Sequence, residues 1–340
     1  MNIFNRRNNI LVLGSSGMLG HDVINTLKSL SQINGYGSCI GKVSTLYHDN
    51  LDITQRHALE NYINTYDCKF DYVVNCVAYT NTKLAETTET DKSYAVNALG
   101  CKYIAEDCAK YKIKLIHVST DYVFNGRKPN PEIDIFSGFT PDDIPNPINV
   151  YGYHKLLGEM FIQTTMKPGT YTILRTSWLY GDHGKKSFVH KITKKLFDET
   201  QTFNREDDAC TCINVSVDNT EHSVPTSTDQ LARMIFNAIK YNITGIHHAC
   251  GTSNHFVTRA QWASEILKNI KSTVDIAYQY KNICGILSVK STTSDIPRPE
   301  CSFMIDNTKE RSKLFTDIET DWRYALHKFI SKHSLSFKYI

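Results

Sequence analysis

The sequence predicts a doubly wound α/β fold, in which a mostly parallel sheet carries helices on both faces, followed by a smaller second part. Short continuous apolar runs alternate with segments of helical period up to about residue 175, and this alternation is typical of strand–helix–strand units. The first apolar run leads directly into a glycine-rich turn, and beyond residue 176 the alternation loosens. We therefore expect the main sheet domain in residues 1–175 and the second part in residues 176–340, with some later segments returning to the sheet.

The first strand, turn and helix predict a phosphate site. Asn9–Leu13 is a short apolar strand, and Gly14–Gly20 is the turn that follows it. Gly14 permits a tight turn, Gly17 lets the backbone approach a pyrophosphate, and Gly20 lets the next helix pack on the sheet. The helix is indicated by Met18, Leu19, Val23, Ile24, Leu27 and Leu30, which recur with its period. Together with Ser16, Met18 and Leu19, these glycines predict a Rossmann-type dinucleotide site.

The second strand bears on the choice of dinucleotide. We place it at Val43–His48, after an extended surface loop over residues 31–42. NAD-binding proteins normally carry an acidic residue at the end of this strand, where it binds the ribose 2′-hydroxyl. Tyr47 and His48 stand there instead, and His48 could help to bind a 2′-phosphate. The pattern favours NADPH and leaves NADH open, because Asp49 would supply the acid in a shifted register.

The next segments predict further walls of the cofactor site. Asp52 and Ile53 could flank an adenine ring, although Thr54 also suits a plain helix cap with the helix starting near Gln55. Tyr72–Cys76 is another buried strand. The small residues at and after its end would let a cofactor ribose lie close to the backbone; these are Cys76, Val77, Ala78 and Thr80. A helix is predicted over Ser93–Lys110.

Three side chains form a candidate proton-transfer site. Thr120 follows the apolar strand Leu115–Val118, and its hydroxyl can hold a substrate oxygen. Tyr151 and Lys155 lie one helical turn apart and share one face of a helix. An ammonium group there would pull the tyrosine pKa down from about 10, which suits a proton donor. An exposed helix pair is the alternative for this spacing, and Tyr153 faces away from Lys155.

The remaining elements follow the same patterns. The proline-rich segment Pro129–Pro147 predicts a long loop over the active site. Trp262, Ile266 and Ile270 share one stripe that we assign to the core. Further elements are strands at Tyr171–Arg175 and Gly245–Ala249, helices at Ser187–Phe197, Thr228–Tyr241 and Thr258–Ile270, and a polar loop over residues 201–216.

Composition narrows the class of protein. The net charge of +3 comes from 38 basic and 35 acidic residues, and no basic stripe indicates a nucleic-acid partner. No apolar run has membrane-spanning length, and no signal peptide precedes the first strand. The ten cysteines are scattered without metal-site spacing. We expect Cys68, Cys76, Cys101 and Cys108 to be core thiols in a cytoplasmic protein without disulfides or a bound metal.

Several ordered motifs resemble one family. They are GSSGMLG, YVVNCVAYTNTKLAE, VNALG, HVSTDYVFNG, NPINVYGYHKLLGE and LRTSWLYG. Together they are similar to the extended short-chain dehydrogenase/reductases, and most of all to the dTDP-4-dehydrorhamnose reductase family. The resemblance implies NADPH-dependent reduction of a nucleotide-linked 4-keto-6-deoxyhexose, either dTDP-4-dehydro-L-rhamnose or its UDP-linked equivalent, and it leaves a homodimer open.

The same resemblance implies roles for individual residues. Thr120, Tyr151 and Lys155 match the catalytic positions, and Asn97 matches an asparagine that is structural or near the cofactor. The residues implied at the substrate are Asp121, Tyr122, Trp178 beside the sugar, and Arg298 at the nucleotide diphosphate.

Departures from the family keep alternatives open. Gly184–Phe188 replaces residues that meet the sugar in relatives, and 201–216 resembles an insertion. One alternative is a bifunctional epimerase/reductase of a UDP-4-keto-6-deoxy sugar, but such enzymes place a cysteine where Tyr122 stands. The other is a non-catalytic NADP-binding regulatory subunit, which would not need the three catalytic residues that this chain retains.

Overall fold

The computed structural model describes residues 7–33, 39–46, 51–66, 69–127, 138–183, 187–202, 213–254, 256–272, 283–289 and 296–333. Parallel strands and helices alternate through the first half of the chain. In order, this half contains β1 (Asn8–Leu13), α1 (Met18–Ser31), β2 (Ile40–Leu46), α2 (Ala58–Thr65), β3 (Tyr72–Asn75), α3 (Thr82–Glu86), α4 (Thr90–Tyr94), a π-helical turn (Ala95–Leu99), α5 (Gly100–Tyr111), β4 (Lys114–Thr120) and a 3₁₀ turn (Asp121–Val123).

The second half is less regular, as its sequence predicts. Its elements are α6 (Val150–Thr165), β5 (Tyr171–Thr176), β6 (Leu179–Tyr180), α7 (Phe188–Thr202), β7 (Ile213–Asp218), β8 (His222–Ser223), β9 (Thr226–Ser227), α8 (Thr228–Lys240), β10 (Gly245–His248), β11 (Val257–Thr258), α9 (Arg259–Ser272), β12 (Ile283–Val289), α10 (Arg311–Leu314) and α11 (Trp322–Lys332).

The main sheet confirms the predicted doubly wound fold. Its six strands run parallel in the order β10-β5-β4-β3-β1-β2. The chain passes from β1 to β2 on one side and then returns to β3 on the other side of β1. A crevice therefore opens at the carboxyl ends of β1 and β3, where ligands bind in folds of this kind. The return of β10 to the sheet was also predicted.

Alternate side chains of β1 feed two separate cores. Ile10 and Val12 pack with α1 and α8 in one apolar cluster, whereas Leu11 and Leu13 pack with α2, α5 and α6 in another. Strands buried on both faces read as continuous apolar runs, which explains the pattern in the sequence. A third cluster draws only on residues beyond 177 and includes Trp262, Ile266 and Ile270, so the predicted core stripe of α9 is confirmed. The division of the chain into two domains remains a prediction.

Several boundaries differ from the predictions. Ile40–Lys42 belong to β2 and not to the preceding loop, because they pair with β1. Helix α2 begins at Ala58, not near Gln55, because the Asp52 side chain accepts hydrogen bonds from the Thr54 backbone and hydroxyl and closes a turn there. The helix predicted over Ser93–Lys110 begins at Thr90 and contains the π-helical turn. The end of the polar stretch 201–216 forms β7, which pairs with β12.

The structure describes three of the four cysteines that were predicted to be core thiols. Cys101 and Cys108 are buried and Cys76 is half-buried, and all three are free thiols. Cys68 lies outside the described residues, as do residues 128–137 of the proline-rich loop. None of the helices within the described ranges combines the length and the apolar composition that a membrane span requires.

Candidate active site

A cleft of about 460 Å³ opens where β1, β3, β4 and β5 end, and a smaller one of about 190 Å³ adjoins it. Both are lined by Gly17, Cys76 and Ala78. Other predicted residues on these walls are Gly14, Ser16, Met18, Leu19, Ile53, Val77, Thr80, Thr120, Asp121, Tyr151, Lys155 and Trp178. Segments far apart in the chain thus meet at one edge of the sheet.

The glycine turn is shaped by two close approaches. Gly14 has φ +74°, which a residue with a side chain rarely adopts, and Gly17 donates its N–H to the Gly14 carbonyl at 3.0 Å. A Cβ on Gly20 would lie 2.1 Å from the same carbonyl oxygen. Helix α1 therefore begins directly behind the turn, and its first N–H groups face the cleft, where an anion would be stabilised.

We expect Gly20→Ala to destabilise the fold by about 1–3 kcal/mol and to weaken dinucleotide binding, because the new methyl group must displace backbone. Urea unfolding and titration with NADPH would measure the two effects. Gly41→Ala is the matched control, since its Cβ would meet the end of the Asn9 side chain at 2.7 Å and backbone only at 3.2 Å. Equal losses for both variants would contradict the assigned role of Gly20.

Two buried asparagines shape the loop after β3. The Asn75 side-chain oxygen accepts the Val77 N–H at 3.0 Å. Asn97 accepts the Tyr79 N–H at 3.0 Å and donates to the Tyr79 carbonyl at 2.9 Å. Asn97 does not line the cleft; it holds the loop that carries Ala78 and Thr80, which supports the structural reading of this residue.

Helix α6 presents Tyr151 and Lys155 to the cleft. The Asn149 side chain caps the helix by accepting the Gly152 N–H at 2.8 Å. A Cβ on Gly152 would lie 2.1 Å from the Tyr122 carbonyl oxygen, so the helix begins in direct contact with the segment after β4. This approach places the Tyr151 hydroxyl within hydrogen-bonding reach of Thr120. Tyr153 is 53% exposed and points away, as predicted.

The pKa of Tyr151 differs from the sequence-based expectation. Burial raises the pKa of its hydroxyl to about 12, and the Asp121 carboxylate adds to the rise, whereas the hydrogen bond with Thr120 opposes it. The Lys155 amine instead donates to the Val118 carbonyl at 2.8 Å and lies 3.1 Å from His117 Nε2. The expected lowering by Lys155 is therefore wrong for the chain alone, and Tyr151 holds its proton firmly.

Asp121 is buried beside Thr120 and accepts three hydroxyl hydrogen bonds. Thr120 donates to one carboxylate oxygen at 3.0 Å, while Ser302 and Ser223 donate to the other. Burial raises the pKa of Asp121 to about 6, and the nearby Glu221 carboxylate contributes to the rise. Asp121 thus joins the candidate catalytic residue Thr120 to the segment near residue 302.

The raised pKa of Asp121 predicts a pH dependence of stability. A carboxyl group whose pKa rises from 3.8 to about 6 on folding binds its proton more tightly in the folded state. The contribution of Asp121 to the free energy of unfolding should therefore fall by ~2 kcal/mol as pH rises from about 4 to about 6. Urea unfolding across this range should show the fall in the wild type and not in Asp121→Asn. Parallel pH profiles for the two proteins would contradict it.

Tyr122 and Arg298 do not line either cleft. Both donate hydrogen bonds to Glu221 in a cluster beside the larger one. The Tyr122 hydroxyl donates to Glu221 at 3.0 Å, and the Arg298 guanidinium donates to the other Glu221 oxygen at 2.6 Å. Arg259 also pairs with Glu221 and lies 3.7 Å from the centre of the Trp178 ring. The substrate roles of Tyr122 and Arg298 remain predictions.

Two cofactor candidates have different outcomes. His48 lies outside the described residues. Asp52 lines neither cleft; its side chain accepts hydrogen bonds from Thr54 and closes a turn, where the alternative had predicted a helix start capped by Thr54. Its neighbour Ile53 does line the smaller cleft, together with Leu46 and Leu51.

The segment after β5 contributes residues that the sequence reasoning missed. Thr176 and Ser177 line the cleft beside Trp178. Within the described part of the chain, the Thr176 hydroxyl and the Trp178 indole N–H are buried and have no hydrogen-bond partner. Because both residues line the cleft, a ligand bound there would be in position to satisfy these groups. The rule that applied to Thr120 would have found Thr176, because it too ends a parallel strand and pairs with Thr120 in register.

A buried ion pair supports the site from behind. Glu159 follows Lys155 by one helical turn and pairs with Arg175 at 2.8 Å, and their side chains are 0% and 2% exposed. The Ser119 hydroxyl donates to the same carboxylate. This pair ties α6 to β4 and β5, the elements that carry the three candidate catalytic residues.

The comparisons with known proteins agree with this geometry. The family model "RmlD substrate binding domain" matches residues 8–335. A dTDP-4-keto-6-deoxy-D-glucose reductase of Streptomyces niveus is 31% identical over 243 residues, which are 72% of each chain.

Two solved structures have the same fold. A dTDP-4-dehydrorhamnose reductase of Clostridium acetobutylicum superposes with a TM-score of 0.76 at 26% identity, over 96% of this chain and 99% of the other. The enzyme of that name from Bacillus anthracis, solved in complex with NADP, gives a TM-score of 0.73 at 26% identity and the same coverage.

Proposed function

Since the chain belongs to the RmlD substrate-binding-domain family, we propose that it is an NADPH-dependent reductase of a nucleotide-linked 4-keto-6-deoxyhexose. The observation that carries the proposal is one continuous site. Tyr151, Thr120 and Lys155 line the same cleft as the glycine turn that would bind the cofactor. The relatives named above as keto-sugar reductases support the same reaction class.

The described residues fit a dinucleotide. Gly14, Gly17 and Gly20 shape the turn at the start of α1, where a pyrophosphate would bind: a Cβ on Gly20 would meet the Gly14 backbone, and one on Gly14 would meet Val77. The apolar smaller cleft would hold the adenine against Leu46, Leu51 and Ile53. Cys76, Val77 and Ala78 would face a ribose. NADP in the related structure from Bacillus anthracis supports NADPH, and the lack of an acidic residue at positions 47 and 48 points the same way.

The proton in this reaction comes from the chain. When bound, the nicotinamide would supply a hydride for the 4-keto carbon. Tyr151 keeps its hydroxyl protonated and would donate that proton to the sugar oxygen. The Thr120 hydroxyl lies within hydrogen-bonding reach of Tyr151 and would hold the sugar oxygen beside the phenol.

Other cleft residues would bind and orient the sugar. The unpartnered Thr176 hydroxyl and Trp178 indole N–H can donate to sugar oxygens. Trp178 has φ +44°, a conformation that costs energy in a non-glycine residue and is found at ligand sites. We propose that dTDP-4-dehydro-L-rhamnose is the substrate, with dTDP-L-rhamnose as product, and that the UDP-linked sugar is the second candidate.

A coupled assay tests this proposal. Purified protein with NADPH would be given dTDP- or UDP-linked 4-keto-6-deoxyglucose, each with and without a 3,5-epimerase, and NADPH oxidation would be followed by absorbance. We expect turnover with the dTDP sugar that depends on the epimerase. Turnover without the epimerase would place the chain nearer to the function named for the Streptomyces relative. No oxidation with any of the four mixtures would contradict the proposed reductase.

The same mixtures, run in deuterated water, separate the two alternative functions from the proposed one. A bifunctional epimerase/reductase would exchange solvent deuterium into the carbons beside the ketone without added epimerase. Tyr122 stands where such enzymes carry a cysteine, and its hydroxyl is engaged by Glu221, so we expect no exchange. A regulatory subunit would bind NADPH without oxidising it in any mixture.

A further inference from the structure

Three aromatic rings surround the guanidinium group of Arg259, the first residue of α9. The guanidinium carbon lies 3.7 Å from the centre of the Trp178 ring, 5.1 Å from that of Phe188 and 5.5 Å from that of Trp262. The Trp178 and Trp262 rings are nearly parallel, with centres 5.5 Å apart and an interplanar angle of 9°. Because the Arg259 side chain is only 19% exposed, its attraction to these ring faces is weakened little by water.

The Glu221 carboxylate fixes where this guanidinium lies. Arg259 donates to one carboxylate oxygen at 3.3 Å, the Tyr122 hydroxyl donates to the same oxygen at 3.0 Å, and Arg298 donates to the other at 2.6 Å. Burial alone would raise the pKa of Glu221, but Arg259 and Arg298 hold that pKa below its ordinary value, so the anchor is charged at neutral pH. Arg259 is therefore tied to an ion at one side and lies against Trp178 at another.

Trp178 is a residue that needs such support. Its backbone has φ +44°, and a non-glycine residue keeps this conformation only where its surroundings hold it. Thr226 donates its N–H to the Trp178 carbonyl at 3.4 Å, while Arg259 and Trp262 contact the ring. The same ring lines the larger cleft, and its buried indole N–H has no partner among the described residues. The contacts that hold the ring thus decide how it faces a ligand.

We propose that Arg259 is a positioning residue that holds the Trp178 indole in the orientation that binds the sugar. Arg259 lines neither cleft, so it acts on a substrate through Trp178. The inference rests on the proposed reductase function, which supplies the sugar. Trp178 would contact that sugar before and during the reaction alike. Loss of its orientation should therefore raise KM and leave kcat, which depends on the Tyr151 proton, nearly unchanged.

Fluorine NMR of the full-length protein tests the contact between Arg259 and Trp178. The chain has three tryptophans, so labelling with 5-fluorotryptophan gives three signals, which Trp178→Ala and Trp262→Phe assign. We expect Arg259→Met to shift the Trp178 signal and to leave that of Trp322 in place. An unmoved Trp178 signal would overturn the positioning role.

Arg259→Met is expected to fold. Methionine keeps much of the arginine stem, and the Glu221 carboxylate retains its hydrogen bonds from Arg298 and Tyr122. Arg259→Lys is the second variant, and it keeps the charge without the planar group that lies on the ring. We expect its Trp178 signal to lie between those of the wild type and Arg259→Met. If Arg259→Met does not fold, the lysine variant decides by the same criteria.

Arg323→Met is the matched control. The Arg323 guanidinium lies 4.6 Å from the centre of the Trp322 ring and is 3.8 Å from Glu265, so it repeats the arrangement at a tryptophan that does not line the cleft. We expect this variant to shift the Trp322 signal and to leave the Trp178 signal, KM and kcat as in the wild type. An increase in KM equal to that of Arg259→Met would show a general loss of structure and would refute the proposal.

Steady-state kinetics with the nucleotide sugar turned over in the coupled assay test the consequence for binding. We expect Arg259→Met to raise KM about 10-fold and to change kcat by less than about threefold, since a cation–π contact removed from water contributes about that much to affinity. Arg259→Lys should give an intermediate KM. An unchanged KM, or a fall in kcat alone, would contradict the proposal.

A double variant checks that the effect passes through Trp178. Once Trp178→Ala has removed the ring, adding Arg259→Met should raise KM little further, because residues that act through one contact are not additive. Increases in KM that multiply would show that Arg259 acts on the substrate by another route, and the positioning role would fall.

The fluorine spectra need neither substrate nor NADPH. Failure of the reductase assay would therefore leave them to decide whether Arg259 positions Trp178, and an unmoved Trp178 signal would leave the proposed reaction untouched.

Discussion

Tyr151→Phe is expected to lower kcat by about 10²–10⁴-fold while NADPH binding changes little, because the substitution removes one proton donor and almost no volume. Burial holds the Tyr151 hydroxyl in its protonated form within reach of Thr120, and Tyr151 lines the cleft at the end of β4. Its loss leaves the sugar oxygen without the proton that the chain supplies. Steady-state kinetics with the substrate found in the coupled assay, together with NADPH titration, would separate the two effects.

Tyr153→Phe is the matched control for this experiment. It makes the same chemical change two residues away on the same helix, at a side chain that is 53% exposed. We expect its kcat and KM to equal those of the wild type. Equal losses for the two variants, or an unchanged kcat for Tyr151→Phe, would show that another group donates the proton.

Arg175→Met is expected to destabilise the fold by about 3–5 kcal/mol, because it leaves the Glu159 carboxylate buried without its partner. Glu159 is 0% exposed, and the Arg175 guanidinium donates to both of its oxygens at 2.8–3.2 Å. Methionine keeps much of the arginine stem, so the loss reports the charge and its hydrogen bonds more than a cavity. The free energy of unfolding in urea would measure it.

Two further variants check the physical cause. Lys194 and Asp198 form an exposed pair one turn apart on α7, with side chains 60% and 57% exposed, so Lys194→Met should cost at most about 1 kcal/mol. Adding Glu159→Leu to Arg175→Met should recover most of the loss, because it removes the uncompensated charge. A double variant no more stable than Arg175→Met would indicate that packing, and not the buried charge, accounts for the effect.

Much of the fold followed from local pattern, and the misplaced boundaries have separate causes. The predicted start of α2 near Gln55 was wrong because Asp52 closes a turn with Thr54, and a side-chain–backbone hydrogen bond competes with a helix without altering apolar periodicity. The strand β7 at the end of 201–216 was missed because its partner, β12, lies about seventy residues further along the chain. Pairing across such a separation leaves no local signal.

The candidate site was also predicted only in part. Thr120, Tyr151 and Lys155 were predicted as a set, and the structure brings them to one cleft. The tuning of Tyr151 by Lys155 was not found, since the spacing of two residues on a helix does not report which way an amine turns or what it meets. Thr176 was missed although its strand was predicted, because the extent of β5 depends on its pairing with β4.

By itself the sequence determined the glycine turn, the order of strands and helices, and the placing of Tyr151 and Lys155 on one helical face. Backbone geometry fixes these features over a few residues, so they can be read from spacing. Only the tertiary structure decided which buried polar groups meet: Glu159 with Arg175, and His117 with Asn75 and Lys155. These contacts join distant segments, and burial makes them strong because folding removes the water that would otherwise solvate the groups.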